Sequence, residues 1–220
     1  GKGFPYILEK NKIKDKGHLS RINKLAISQA WTEVWICALP HGHIQATGLD
    51  AKGRKQYKYH SRWNVLRNHS KFHRLQDFGK ALPFIRNQIE KDLSRPGLPQ
   101  EKILATVVHL MERTSIRIGN EVYEKLYGSF GLTTLKNGHV QLNGHTLKFA
   151  FKGKKGIHHS ISIKSMRLAN IIKKCKDIPG KELFQYIDEQ NEIKSIDSGM
   201  VNQYIKTISG DDFTAKDFRT

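Results

Sequence analysis

The stretch Arg113-Thr-Ser-Ile-Arg117-Ile-Gly-Asn-Glu121 decides how this chain of 220 residues is organised. It follows one apolar helical pattern and precedes a second, so Arg117 falls at the junction between two predicted helices. Gly119 has no Cβ, which allows the backbone to pass close to a partner. A guanidinium fixed at such a junction can hold a phosphate by two parallel hydrogen bonds. A structural ion pair with Glu112 or Glu121 is the alternative, and this stretch alone leaves both interpretations open.

The composition indicates a nucleic-acid partner. The chain has 38 lysines and arginines against 20 acidic residues, a net charge of +18. Such a charge repels itself in a folded chain, and binding to phosphates relieves the repulsion while releasing counterions. An anionic membrane is the rival partner, but the sequence has no run of about 18 apolar residues, and its basic segments lack a strong apolar face. Cys37 and Cys175 are predicted to be buried free thiols, in keeping with a reducing compartment.

The N-terminal part of the sequence predicts a small, mostly β domain. The β signals are a short strand pair at 7–13, a β-branched and aromatic strand at 31–39 and a returning strand at 43–47. A turn at Pro40-His-Gly42 joins the last two, and Gly48 is predicted to end the second of them. We expect domains at 1–62 and 63–220.

Residues 51–74 carry the densest positive charge, eight lysines and arginines without an acidic residue. Four aromatic residues lie among them: Tyr57, Tyr59, Trp63 and Phe72. Cations suit phosphates, and rings suit sugars and bases, so the pattern favours a nucleic-acid surface. A solvated linker or helix face is the alternative, but a plain linker has little use for four aromatic rings.

From Leu75 onward the apolar period becomes helical. The predicted helices are 75–93, 100–114, 120–127, 165–176, 198–209 and a last one opening at 213–220, with a polar connection at 189–196. Turn signals at Asn137-Gly138, Asn143-Gly144 and Gly153–Gly156 separate three predicted strands, at 139–142, 146–152 and 157–163. The expected fold class is α+β, with a small, mostly β N-terminal domain and a mainly α-helical domain that contains a three-stranded antiparallel sheet.

Five motifs, taken together and in order, resemble the type IB DNA topoisomerases in their compact bacterial and poxvirus-like form. They are Gly53-Arg-Lys-Gln-Tyr-Lys-Tyr59, Ser115-Ile-Arg-Ile-Gly-Asn120, Phe130-Gly-Leu-Thr-Thr-Leu-Lys136 with His139, Phe151-Lys-Gly-Lys-Lys-Gly156 and Phe213-Thr-Ala-Lys-Asp-Phe-Arg-Thr220. The resemblance covers nearly the whole chain. It implies an enzyme that nicks duplex DNA through a 3′-phosphotyrosyl link, lets supercoils relax and reseals the strand, with no ATP, metal or other cofactor.

The resemblance also implies roles for individual residues. Arg117 and Arg219 would stabilise the charge that develops on the non-bridging phosphate oxygens. Lys154, on the tip of the last hairpin turn, would be the general acid for the 5′-oxygen. If both arginines serve one phosphate, their tips should lie within roughly 8 Å of each other. The residues expected to contact double-stranded DNA are Arg54, Gln56, Tyr57, Tyr59, Tyr123 and Lys216, the last of which could also assist the general acid.

One departure from the family's pattern concerns its nucleophile. The family places a histidine phosphate ligand and the nucleophilic tyrosine well beyond the K-D-x-R motif, and none of the seven tyrosines here matches that position. We therefore expect a truncated chain that binds DNA without cutting it. A tyrosine recombinase is an alternative, although those enzymes usually carry H-x-x-R where this chain has Lys216. A DNA-binding module without catalysis is another. We expect a monomer, located in the cytoplasm with the nucleoid if the source is bacterial.

Overall fold

The computed structural model describes residues 6–8 and 11–219, without the side chains at positions 8, 11, 64 and 66–71. The chain forms two compact units, residues 1–74 and 75–220. Helices and small antiparallel sheets occur together, which confirms the predicted α+β class. In the described part of the chain, no helix has both the length and the apolar character needed to span a bilayer.

The first unit is built on a three-stranded antiparallel sheet in the order β3-β4-β5. Its elements are β1 (Ile7–Leu8), β2 (Asn11–Lys12), α1 (Lys16–Lys24), β3 (Thr32–Ile36), β4 (Ile44–Leu49) and β5 (Lys55–Tyr59). Strands β1 and β2 pair, as do β3 and β4, which confirms the predicted strand pair and hairpin. Asp15 caps α1 by accepting a hydrogen bond from the backbone N–H of His18 at 3.0 Å.

Two features of this sheet differ from the prediction. Gly48 does not end its strand but lies inside β4, where a Cβ would come within 2.9 Å of the Trp31 ring. The glycine is therefore a close-packing position rather than a strand terminator. The basic segment also supplies a third strand, β5. Asp50 turns the chain into β5 by accepting hydrogen bonds from the backbone N–H groups of Lys52 and Arg54.

The second unit is mainly helical. Its elements are α2 (Ser61–Leu93, which begins in the first unit), α3 (Gln100–Thr114), α4 (Glu121–Tyr127), β6 (Val140–Asn143), β7 (Thr146–Lys152), β8 (His158–Lys164), α5 (Met166–Asp177), β9 (Gln185–Ile187), β10 (Ile193–Ser195) and α6 (Ser198–Ser209). Helices α3 to α6 and the sheet β6-β7-β8 confirm the predictions. Helix α2 begins at Ser61 rather than Leu75. Its first turns expose Val65 and Phe72, so they lack the apolar stripe by which a helix is recognised. The predicted domain boundary near residue 62 stays a prediction.

The core of the second unit lies between the helices and one face of the sheet. The largest side chains in it that are fully buried are Phe149, Phe184, Ile85, Ile89, Ile103, Leu110, Met111, Leu132, Leu135, Leu147, Leu168 and Ile172. Cys175 is a buried free thiol, as predicted, and burial raises its pKa to about 12. Cys37 is also free but only half-buried.

Three predictions about connections in this unit are wrong. Asn137-Gly138 does not turn a hairpin but lies in a 3-10 helix, Asn137–His139, where the His139 ring accepts the Lys136 backbone N–H. Residues 193–195 are not a plain connection, because they pair with β9. The last predicted helix is a single 3-10 turn, Asp217–Arg219. Asp217 does reach back to the backbone N–H of Thr214 at 2.8 Å, which is half of the predicted capping box.

Candidate active site

Arg117 lies in the extended segment between α3 and α4. Ser115 ends α3 in the left-handed conformation, with φ at 54°, and Asn120 begins α4 by accepting the backbone N–H of Val122 at 2.8 Å. Ile116 is buried, and this fixes the segment against the core. The Arg117 side chain itself is exposed. The junction predicted from the sequence thus presents a guanidinium to solvent from an anchored backbone.

A second segment, residues 130–134, is hydrogen-bonded to the backbone around Arg117. The backbone N–H of Leu132 donates to the Arg117 carbonyl at 2.8 Å, and that of Thr133 donates to the Ile118 carbonyl at 2.7 Å. Gly119 and Gly131 pass so close that a Cβ on Gly131 would lie 2.5 Å from the Gly119 Cα. This confirms the close approach predicted at Gly119 and identifies Gly131 as its partner.

The alternative interpretation of Arg117, a structural ion pair, is wrong. Glu112 pairs with Arg86 at 2.7 Å, and Glu121 pairs with Lys125 at 3.7 Å. Within residues 6–8 and 11–219, Arg117 forms no salt bridge with either glutamate. Its charge therefore remains available to an anion.

Arg219 comes to the same segment from the far end of the chain. Its Nε donates to the carbonyl of Ser115 at 3.0 Å, across 104 positions of sequence. The neighbouring Phe213 and Phe218 pack edge-on against Phe78, with ring centroids 5.2 and 4.9 Å away. Partial burial and the nearby charge of Arg117 both lower the pKa of Arg219. The last turn of the chain therefore lies against the segment that carries Arg117, and the expected 8 Å limit between the two arginine tips stays a prediction.

Lys154 occupies the turn between β7 and β8, as predicted. The turn is a 3-10 helix, Lys154–Gly156, closed by a hydrogen bond from the Gly153 N–H to the Ile157 carbonyl at 2.7 Å. Its side chain is exposed. The base of this hairpin is hydrogen-bonded to the segment 130–134, because the N–H of Phe130 donates to the Lys152 carbonyl at 2.8 Å. Lys216, also exposed, accepts the Arg219 N–H with its carbonyl at 3.2 Å and so lies one 3-10 turn before Arg219.

The predicted DNA-contacting residues of the first unit fall into two groups. Arg54 and Gln56 both bond to the carboxylate of Asp50, at 2.6 and 2.9 Å. The bond from Arg54 holds the pKa of Asp50 well below its usual range. Tyr57 and Tyr59 are instead exposed by 45% and 36% and stack with ring centroids 6.2 Å apart. The sheet thus presents the two tyrosine rings to solvent, whereas Arg54 and Gln56 are bonded to Asp50.

The other aromatic residues of the basic segment differ in exposure. Trp63 is half-buried and stacks on His43 at 4.5 Å, whereas Phe72 is 70% exposed. The side chains of Arg67 and Lys71 lie outside the described residues. In the second unit, Tyr123 on α4 is 57% exposed and stacks on Tyr127 at 6.0 Å.

Comparison with known proteins identifies the family. Residues 54–220 match the family described as "Eukaryotic DNA topoisomerase I, catalytic core", and residues 3–50 match "Bacterial DNA topoisomerase IB, N-terminal domain". The chain belongs to the type IB DNA topoisomerases. The two matches cover both parts of this topoisomerase chain, in agreement with the resemblance of its motifs.

Individual viral relatives agree with this family. DNA topoisomerase 1B of Acanthamoeba polyphaga mimivirus is 33% identical over 219 residues, which are 98% of this chain and 65% of the viral protein. DNA topoisomerase 1B of vaccinia virus (strain Copenhagen) is 28% identical over 187 residues, which are 84% of this chain and 57% of the viral protein. The topoisomerase chain therefore spans less than two thirds of the length of these relatives.

Sequence reasoning missed two features of this topoisomerase chain. Trp35 is 53% exposed and pairs with Thr47, which in turn pairs with Tyr57, so its ring shares a sheet face with the tyrosines. No alternation along β3 marks this face, because four of its five residues are exposed. Lys136 forms ion pairs with Glu124, on α4, and with Glu182, before β9. No local sequence pattern predicts contacts between such distant residues.

Proposed function

We propose that this chain forms the DNA-binding and phosphate-binding part of an enzyme that relaxes supercoiled duplex DNA by transient cleavage and religation of one strand. The proposal rests on the hydrogen bond from Arg219 to the Ser115 carbonyl, which brings the last turn of the chain to the segment that carries Arg117. Two like charges held together are costly unless an anion lies between them. A phosphodiester offers that charge and two non-bridging oxygens, which suit two guanidinium groups.

In the proposed reaction, a tyrosine that has lost its phenolic proton to solvent attacks the phosphorus, the bond from phosphorus to the 5′-oxygen breaks, and a 3′-phosphotyrosyl link forms. Arg117 and Arg219 stabilise the extra negative charge on the non-bridging oxygens. Lys154 gives its proton to the departing 5′-oxygen, with Lys216 nearby to assist. Religation is the reverse: the 5′-hydroxyl attacks, its proton returns to Lys154, and the tyrosine leaves. The nucleophile is not assigned to any of the seven tyrosines of this chain.

The proposed DNA contacts of the first unit follow from the exposure of its sheet. Tyr57 and Tyr59 offer ring surface to sugars and bases. Arg54 and Gln56 lie beside them, oriented by their bonds to Asp50, and are proposed to contact the duplex. In the second unit, the exposed Tyr123 contacts the backbone near the cut.

The religation half-reaction tests the proposal, because it needs no tyrosine from this chain. The substrate is a nicked duplex whose 3′ end carries a 4-nitrophenyl phosphate and whose adjoining strand ends in a 5′-hydroxyl. The aryl group stands in for the tyrosine, so attack by the hydroxyl releases nitrophenolate and seals the nick. We expect release above the rate of the DNA alone, and R117A or R219A should lower it by about a hundred- to a thousandfold.

Arg86→Ala is the matched control, since it removes the same charge from the same unit at an arginine that pairs with Glu112. We expect R86A to keep the activity. No release above background, or an equal loss in R86A, would overturn the proposal. On an unbroken duplex, the 220-residue chain is expected to bind without forming an adduct that survives denaturation.

We further infer that a single copy of the chain binds double-stranded DNA and that, in a bacterial host, it is found in the cytoplasm with the nucleoid. The net charge of +18 supports the partner, because it favours phosphate-rich surfaces. The mass of the complex with a short duplex, measured by light scattering, should equal one chain plus one duplex. A mass with two chains at the lowest concentrations would contradict the monomer.

A further inference from the structure

Helix α4 has little packing to hold it in place. The structure describes all seven of its residues, and none is buried. Four apolar or aromatic side chains are largely exposed: Val122 by 59%, Tyr123 by 57%, Leu126 by 66% and Tyr127 by 47%. Isolated helices shorter than about 12 residues are marginal in water even when their sequence favours helix. Helix α4 therefore needs a tether other than a buried face.

An ion pair supplies that tether. Lys136 Nζ lies 2.7 Å from a carboxylate oxygen of Glu124, on α4, and 2.7 Å from one of Glu182, before β9. The Glu124 side chain is only 20% exposed, and the Lys136 side chain 25%. Burial opposes the charge on Lys136, but the bonds from the two glutamates outweigh it and raise the pKa of the lysine. The ammonium is therefore charged and shared between two carboxylates.

The backbone around Lys136 is fixed, which makes it a suitable anchor. Leu135 is fully buried, and its carbonyl accepts the Leu183 N–H at 2.8 Å. The N–H of Asn137 donates to the Lys181 carbonyl at 3.1 Å, and the Lys136 N–H donates to the His139 ring at 3.0 Å. Because Lys136 is fixed against the core, an ion pair to Lys136 also fixes the position of α4 relative to the core.

The pair also orients the helix. Glu124 is the one half-buried residue of α4 and faces the body of the unit, whereas Tyr123 and Tyr127 stack on each other in solvent. We propose that Glu124 is a positioning residue whose bond to Lys136 holds α4 so that Tyr123 and Tyr127 meet the DNA. Glu124 acts through the helix and does not touch the duplex. This inference rests on the proposed function.

Neutralising Glu124 tests the positioning role, because that role and simple electrostatics predict opposite changes in DNA affinity. Glu124→Gln removes a negative charge close to DNA, and electrostatics alone would strengthen binding. The positioning role predicts the opposite, a loss of affinity of about fivefold, the size of one weak aromatic contact. Affinity is measured by fluorescence anisotropy with a short labelled duplex at fixed salt, beside thermal unfolding of each variant.

Two controls separate positioning from charge and from general stability. Glu121→Gln makes the same charge change on the same helix, where the carboxylate is 69% exposed and only loosely paired with Lys125. Glu182→Gln removes the negative charge of the other partner of Lys136 but leaves its bond to Glu124. Both controls are expected to bind DNA as tightly as the unsubstituted chain, or more tightly.

A double-mutant cycle gives the decisive readout. If Glu124 acts by placing Tyr123 and Tyr127, then E124Q causes no loss of affinity once Tyr123→Ala and Tyr127→Ala have removed both rings, because only the small electrostatic gain remains. Additive losses would overturn the inference, as would unchanged or tighter binding by E124Q, or equal losses in E124Q and E182Q. Failure of the unsubstituted chain to bind duplex DNA would instead reject the proposed function, so the two failures are distinguishable.

Discussion

At the scale of single residues, Trp35 extends the aromatic surface of the first unit. Its position across Thr47 from Tyr57 places three rings on one sheet face, beside a strongly basic segment. We predict that Trp35→Ala weakens duplex binding by about fivefold or more, as is common for interface tryptophans. Fluorescence anisotropy with a short duplex measures the loss.

The tryptophan carries no charge, so its loss should leave the salt dependence of binding unchanged. Leu39→Ala is the control, because Leu39 is an exposed apolar residue of the same unit, 68% exposed, outside the strands of the sheet. Equal affinity losses in both variants would mean that Trp35 has no special part in binding.

At the scale of elements, the contact between the segments 115–120 and 130–134 fixes Arg117. Gly131→Ala would place a Cβ 2.5 Å from the Gly119 backbone and 2.6 Å from the Arg117 carbonyl. Backbone atoms cannot rotate away as a side chain can, so the two segments must separate. We predict that this substitution lowers the free energy of unfolding by about 1–3 kcal/mol and weakens DNA binding. Urea unfolding measures the first effect.

The matched control is Gly138→Ala, in the nearby 3-10 turn. A Cβ there would meet nothing within 4 Å. Alanine also restricts the unfolded chain more than glycine does, so stability should stay the same or rise slightly. If G131A is as stable as G138A, the close approach of the two glycines does not constrain the Arg117 segment.

At the scale of the whole molecule, the net charge of +18 sets how binding responds to salt. If about six phosphates are contacted, affinity for duplex DNA should fall by about a thousandfold between about 50 and 200 mM salt. Arg117→Ala should reduce the slope of the logarithmic plot by about one, because it removes one phosphate contact. A nearly flat titration would contradict binding dominated by phosphates.

The sequence by itself determined the features that depend on near neighbours. Helix α3 has its predicted bounds, Asn120 and Ser165 cap the helices that follow them, and Lys154 lies on its hairpin turn. Caps, turns and apolar periodicity act over a few residues, so they can be read along the chain. The start of α2 and strand β5 escaped this reading, because exposed basic and aromatic residues carry no core-facing period.

Only the tertiary structure decided which distant residues meet. Gly119 was predicted to approach some partner, but its contact with Gly131 depends on how the two segments pack. Arg219 reaches Ser115 across 104 positions, and Lys136 reaches Glu182 across 46. A periodic pattern states which face of an element is apolar, not which element covers it, so these pairings exist only once the core has assembled.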